Sequence, residues 1–464
     1  MMSGMDRAEP EIVKPKNYRP HLSTIRCLFS SLSLALVFLF SAGPLIFPVT
    51  CHAQVSYVAR FTLEKQKFLQ GEPIFCNFVI QNTGARTFSF RYRSPDRILN
   101  RDLENEPHFS VTTKNGRTLP DPAPKPCGGA KGTAVYGSVT LPPGQTHSER
   151  WLLNQWARFS SPGHFDIKAE RRLPLLTAEP GTPEFTAHPA AYALAINDLQ
   201  IDVTPSSEAD IRKVFEPYLK LLDASAPTDV AEPVLVVTNM PQAFFIEKLE
   251  WLARAPASEH RWDRNQALDG LARLGTPAAW NAIVKIARGE NAAAPSAPRP
   301  TALSTPATEP QNDSSRTYAV LLLSEKADPA FLPPLLEIIA SSSDDLRGEA
   351  IRALGFFRDP RAANALFEKL RSTSSTDRVN AILGLKNMGT RNSIPAILAT
   401  LQDPDAEVRQ VANFALQGLT HKQIKLSPSA GRAESEHAAN EWRQWWQVHA
   451  ASFVPARPPA CHDW

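Results

Sequence analysis

The stretch that decides the fold is "DDLRGEAIRALGFFRDPRAANALFEKL", Asp344 to Leu370. Its apolar residues recur at intervals of three and four, the period of a helix that buries one face. An Asp opens it and an Ala-Leu-Gly run packs its middle. The pair Asp359-Pro360 then ends one helix and begins another, because proline lacks an N–H yet suits the first helical turn. The pattern returns in "STDRVNAILGLKNMGTRNSIPAILATL", Ser375 to Leu401, and again from Asp403 in "DPDAEVRQVANFALQGL". Anchoring on Leu354, Leu383 and Leu416 gives spacings of 29 and 33 residues, and Asp328-Pro329 recurs 31 residues on as Asp359-Pro360. A repeat of this length means helical hairpins that must stack on their neighbours to bury their apolar faces.

More diverged units read at "RNQALDGLARLGTPAAWNAIVKIA" and "SRTYAVLLLSEKADPAFLPPLLEIIA". In the clearer units an arginine follows the opening residue (Arg347, Arg378, Arg409) and projects near the turn between repeats. The segments "VRQVANFALQGL" and "RGEAIRALGFFRDPRAANAL" resemble the HEAT-repeat family of bacterial proteins, over about residues 241 to 419. That resemblance implies an armadillo-like α-solenoid with a superhelical surface for a protein partner, and no chemistry of its own. Two departures stand out. Thr390-Arg391-Asn392 replaces Asp-Pro in one unit, and "SRTYAVLLLSE" lacks the usual glycine, so irregular packing is expected there.

Upstream, from Val55 to about Pro205, the period is two. In "IFCNFVI", Ile74, Cys76, Phe78 and Ile80 project to one face and Phe75, Asn77 and Val79 to the other, as suits a strand inside a β-sandwich. Turn signals recur in "QNTGA", "KNGRT", "LPPGQT" and "SPGHF". Asn115-Gly116, between "FSVTT" and "RTL", predicts a tight hairpin with positive φ at both central residues. Seven or eight short strands suggest an antiparallel immunoglobulin-like (Ig-like) sandwich; "GEPIFCNFVIQNTG" and "PGHFDIKAE" resemble bacterial modules of that kind. The fold class expected is therefore multidomain: an all-β sandwich followed by an all-α HEAT-type solenoid.

The chain of 464 residues is too long for one core. Lys14, Lys16, Arg19 and Arg26 precede an apolar run from Cys27 to Thr50, with small residues at "CHA" before Gln54. These read as a secretory signal peptide over 1–53, with an uncleaved membrane anchor as the alternative and a lipid-anchored Cys51 as a weaker one. A periplasmic or extracellular protein follows. Removal of the signal leaves Cys76, Cys127 and Cys461; in an oxidising compartment Cys76 and Cys127 could pair, or all three could be plain thiols. The expected organisation is 54–205 sandwich, 206–255 helical connector, 256–420 solenoid, and 421–464 capping helix and tail. Within the connector, Ser207 N-caps a helix carrying Ile211, Val214, Phe215, Tyr218 and Leu222, and a second helix follows Pro241. The proline-rich segment 291–313 reads as a surface loop or tether.

Chemistry leaves little trace. HExxH, GxSxG, Walker-type loops and Cys-x-x-Cys are all missing from the sequence, so no catalytic, cofactor-binding or metal-ligating residue is assigned. Lys131 in "CGGAKGTA" lies in a turn, Cys461-His462-Asp463 forms a tail, and His147 and His164 flank turns. The net charge of +3 is weak, and residues 344–420 intersperse ten Lys/Arg with nine Asp/Glu, without the one-signed stripe that nucleic acid requires. The expectation is a non-enzymatic interaction protein without cofactor that contacts a protein partner, touching neither nucleic acid nor membrane beyond the signal segment. The alternative is a cell-wall or glycan binder whose sandwich uses Trp151, Trp156 or nearby loop aromatics, although those two rings also suit a sandwich core. Finally, "EWRQWWQVHA" places Trp442, Trp445 and Trp446 on one helical face, with Val448 and Phe453 extending it, as a terminal cap on the array requires.

Overall fold

A computed structural model describes residues 55–93, 106–122, 136–177, 189, 191–223, 231–254, 264–290, 313–342, 344–427 and 430–454. The signal segment, Cys127, Lys131, the tail triad Cys461-His462-Asp463 and the proline-rich segment up to residue 312 lie outside them. The first compact part holds β1 (Tyr57–Leu63), β2 (Lys67–Leu69), β3 (Phe75–Asn82), β4 (Phe88–Arg93), β5 (His108–Thr113), β6 (Tyr136–Leu141), β7 (Thr146–Leu152), β8 (Gly163–Leu175) and β9 (Ala191–Thr204). These form sheets of order β1-β3-β7, β2-β9-β8-β5 and β4-β6. The ladders are antiparallel except for the short β2–β9 pair.

Alternation along β3 works as the period-two pattern predicts: Ile74, Cys76, Phe78 and Ile80 are buried between the sheets with Phe61, Phe109, Trp151 and Ile167. Trp151 and Trp156 are core residues, 2% and 5% exposed, their rings meeting edge to face at 5.9 Å. Cys76 is a free, buried thiol, and burial pushes it up to about 12. The hairpin after β5 is a three-residue loop rather than a two-residue one. Gly116 N–H donates to Thr113 O and Thr113 N–H to Arg117 O, and only Gly116 (φ +76) is left-handed. A type I turn closed by a glycine bulge needs positive φ at that one position, which corrects the expectation for Asn115.

Among the described residues thirteen α-helices follow: α1 (Glu208–Asp223), α2 (Ala231–Asn239), α3 (Ile246–Arg254), α4 (Arg264–Leu274), α5 (Pro277–Arg288), α6 (Asp313–Lys326), α7 (Leu332–Ser341), α8 (Asp344–Ala353), α9 (Pro360–Lys369), α10 (Ser375–Met388), α11 (Ser393–Thr400), α12 (Ala406–Thr420) and α13 (Arg432–His449). Ser207 caps α1 as expected: its Oγ accepts from Asp210 N–H while Asp210 Oδ2 accepts from Ser207 N–H. From α2 onward the helices alternate as pairs. The first helices stack in series, α2 on α4, then α6, α8, α10 and α12; among the second helices α3 packs on α5, α5 on α7, and α11 on α13. Within the expected connector, α2 and α3 stack on α4 and α5 in the same way. Pro233 to Thr238 of α2 are buried on every side, so the segment carries no stripe for periodicity to reveal.

The register also differs from the leucine anchors. Arg316, Arg347, Arg378 and Arg409 stand 31 residues apart, and Leu385, fully buried, is the partner of Leu354 and Leu416 in that register, whereas Leu383 is only half-buried. The β-region and the helices share an apolar seam. Phe75 and Leu152, cross-strand partners on β3 and β7, pack in one cluster with Ile211 and Phe215 of α1. Above the seam the Arg150 guanidinium stacks 3.9 Å over the Phe75 ring and pairs with Glu64 and with Glu232 of α2.

Candidate interaction surface

Each arginine of the 31-residue register does a similar job. Arg316 donates to the carbonyls of Ala287 and Arg288 at the end of α5. Arg347 donates back to Ser342 O and forward to Asp377 of the next repeat at 3.0 Å. Arg378 donates back to Ser372 O and Thr373 O and forward, through both nitrogens at 2.8 Å, to Asp403. The guanidinium fork can serve exposed helix-end carbonyls and a carboxylate together, which a lysine cannot. Burial would raise the Asp377 carboxyl, but hydrogen bonds from Arg347 and Ser372 and the charges of Arg347 and Lys369 hold it below its ordinary range. Other polar links join repeats: Tyr318 Oη donates to Asp269 Oδ1 at 2.7 Å between α6 and α4. Burial and the Asp269 charge raise the neighbouring Glu325.

At the last repeat the forward partners of the arginine are a hydroxyl and a carbonyl in place of a carboxylate. Arg409 donates back to Asp403 O and Pro404 O, but forward to Ser435 Oγ and Ala430 O. One residue step turns a helix by about 100°, so Arg409, Asn413 and Gln417 fall on the flank of α12 away from α10, where another repeat would stack. Residues 421–427 run across that flank as a strap. Asn413 Nδ2 and Gln417 Nε2 both donate to Ile424 O, at 2.9 and 2.7 Å, and Gln410 Nε2 to Ser427 O. Ile424 is buried and Leu426 packs on the helical core.

α13 is the second helix of the last repeat, packed on α11. Trp442 is fully buried and its Nε1 donates to Asn413 Oδ1 at 2.8 Å. Trp445 and Trp446 are half-buried and meet Phe453, while Val448, at 76% exposure, points away from the apolar face that the sequence assigned it. The cap over α12 is the strap, a segment that reads as polar loop. Its signal in the sequence is the amide row Gln410, Asn413, Gln417 on one flank of α12.

Between the strap and the open edge of α12 lies a groove of about 560 Å3, lined by Gln410, Asn413, Phe414 and Gln417 of α12, Lys425, Leu426 and Ser427 of the strap, and Glu434 of α13. Phe414 stands 57% exposed. Lys386 of α10 reaches over its ring, Nζ 5.0 Å from the centroid. The Glu434 carboxylate accepts from Ser427 N–H at 2.8 Å.

In the β-region one ion pair is internal. Arg171 and Glu149 pair at 2.7 Å with side chains 1% and 5% exposed, and Trp151 Nε1 and His147 also meet the Glu149 carboxylate at 3.2 Å. Burial alone would raise Glu149; hydrogen bonding by His147 and the charge and hydrogen bond of Arg171 hold it below its ordinary range. The Arg171 guanidinium also lies 4.5 Å over the Phe78 ring. His164 bonds Asp202 Oδ1 at 2.8 Å in solvent. Among the described residues no group of three His, Cys, Asp or Glu side chains is placed to hold a metal, and no helix is long and apolar enough to cross a membrane.

Residues 305–377, α6 through the start of α10, match the family model described as HEAT repeats, and with the paired helices this makes the helical part a HEAT-type repeat array. Comparison with solved structures returns an engineered protein at 17% identity, covering 46% of this chain and 91% of that one with TM-score 0.24. A second engineered protein matches at 18%, covering 53% and 66% with TM-score 0.27. An alpha-2-macroglobulin of E. coli matches at 13% over 84% of this chain and 26% of that one, TM-score 0.15. No curated protein matches the sequence.

Proposed function

We propose that this protein is an exported, non-enzymatic interaction scaffold whose HEAT-type array presents its ridge of first helices to a protein partner. The observation that carries the reading is the arginine register. Arg347 and Arg378, 31 residues apart, each tie their turn to a carboxylate of the next repeat, so the ridge is held in one geometry before any partner arrives. A pre-organised surface loses little conformational freedom on binding. The Ig-like sandwich assignment for residues 54–205 belongs to the same proposal, supported by sheets enclosing an apolar core. Export rests on the basic, apolar and small-residue pattern of residues 14–53. The glycan-binding alternative is left with the loop aromatics alone, since Trp151 and Trp156 are interior.

Affinity capture from an envelope extract with the chain from Gln54 onward tests the proposal. A protein recovered in stoichiometric amount, and lost when the array residues 264–420 are removed, is the expected outcome. Capture of nothing above background, or equal capture by residues 54–205 alone, would count against it.

A further inference from the structure

The geometry points to the groove beside Phe414 as a docking site for a peptide segment that carries a large apolar side chain flanked by carboxylates. This rests on the scaffold reading and names the partner chemistry at one place on the array.

Three observations carry it. Phe414 is 57% exposed on a helix whose neighbouring apolar residues Val408, Ala412, Ala415, Leu416 and Leu419 are all buried. The equivalent positions one and two repeats earlier are the half-buried Leu383 and Arg352, so no requirement of the repeat places a bare ring there. Second, two cations belong to this surface. Lys386 reaches over the ring from α10, and the exposed Lys425 lines the groove from the strap. Neither ammonium pairs with a carboxylate among the described residues, whereas nearby Lys422 pairs with Glu441. The one carboxylate of the lining, Glu434, is turned to the strap backbone.

Third, the groove is built rather than incidental. Its strap wall is held by three amide side chains bonded to its backbone carbonyls, and its floor includes Leu426 packed on the helical core. Such walls stay in place when a ligand enters, and cations around an apolar anchor set the sign of what it accepts. A basic or phosphate-free neutral peptide gains nothing from Lys386 and Lys425; an acidic one with Leu, Phe or Trp gains at both.

The test is selection from a phage-displayed library of random dodecapeptides on the chain from Gln54 onward, followed by titration of the enriched peptides against Phe414→Ala and Lys425→Glu variants. Both positions are solvent-facing, and unchanged thermal melting of the variants shows that their folding is intact. The expected result is enrichment of Asp or Glu next to Leu, Phe or Trp. The loss in affinity should be about tenfold or more in either variant, and binding should weaken as salt rises. Enrichment of basic peptides, self-association through this face, or peptides bound equally by Phe414→Ala would overturn it, as would failure to enrich any sequence. The scaffold reading is separable. Should both variants capture the same envelope protein as the parent chain, the scaffold stands and the groove falls.

Discussion

Gly355 and Gly384 show how little room the repeats leave where their first helices cross. A Cβ on Gly355 would sit 2.2 Å from Gly384 O and 2.9 Å from Asn387 Cβ, and one on Gly384 would sit 2.6 Å from Leu366 Cδ2. A backbone carbonyl cannot swing aside as a side chain can. Gly355→Ala should therefore cost about 3 kcal/mol or more by chemical denaturation. Gly431→Ala, with nothing within 4 Å, should stay within about 0.5 kcal/mol. Equal midpoints for the two variants would refute the crossing. Glu149 is the residue for pH. Its carboxyl lies below the ordinary range in the fold, so its contribution is complete above the unfolded value near 4.3 and is lost as pH falls through the lower folded value. Glu149→Gln should flatten that acid slope in a series of melting curves, and at neutral pH should cost about 3–5 kcal/mol by stranding Arg171. A variant that keeps the parent slope would exclude this origin. The alternation of β3 was legible at this scale, because one face is buried and period two follows directly. The arginine roles were half legible: their position near the turns was read, their carboxylate partners were not, since a partner some 30 residues away has no local signature.

Among elements, the last repeat is the instructive one. The sequence marks α13 by its tryptophans, whereas the cover of α12 by a stretch as polar as 421–427 is hinted at by nothing more than the amide row Gln410, Asn413 and Gln417. The strap stays in place because Asn413 and Gln417 satisfy Ile424 O and Gln410 satisfies Ser427 O, while Asn413 Oδ1 takes the Trp442 indole N–H. Asn413 thus joins α12, the strap and α13. Asn413→Ala strands the buried Trp442 indole donor and removes one of the two bonds to Ile424 O, and should cost about 1–3 kcal/mol in thermal or chemical unfolding. A change below about 0.5 kcal/mol would mean the strap is not held by this residue. Hydrogen exchange in α12 should quicken in the same variant, since the strap shields that flank. Missing α2 from the pattern had the opposite cause: a helix buried all round has no polar face to betray its period.

At the scale of the whole molecule, the seam between β-region and helices decides whether the chain melts as one body. Phe75 and Leu152 join the apolar cluster that holds Ile211 and Phe215, while Arg150 bridges Glu64 and Glu232. Phe75→Asp places a carboxylate in that seam, and calorimetry should then resolve two transitions where the parent shows one. A single transition at a merely lower temperature would argue against the seam as the coupling element. The order of the molecule, strands first and stacked helical pairs after, was determined by the sequence alone, because hydrophobic period is a local property that each segment carries in its own residues. Tertiary structure alone decided that α1 and α2 lean on the sheet, that the array is closed by a strap, and that Phe414 stays bare beside two lysines. Each of these depends on which surfaces meet after distant segments fold together, and a surface that is apolar in sequence becomes core or groove only when its neighbour arrives.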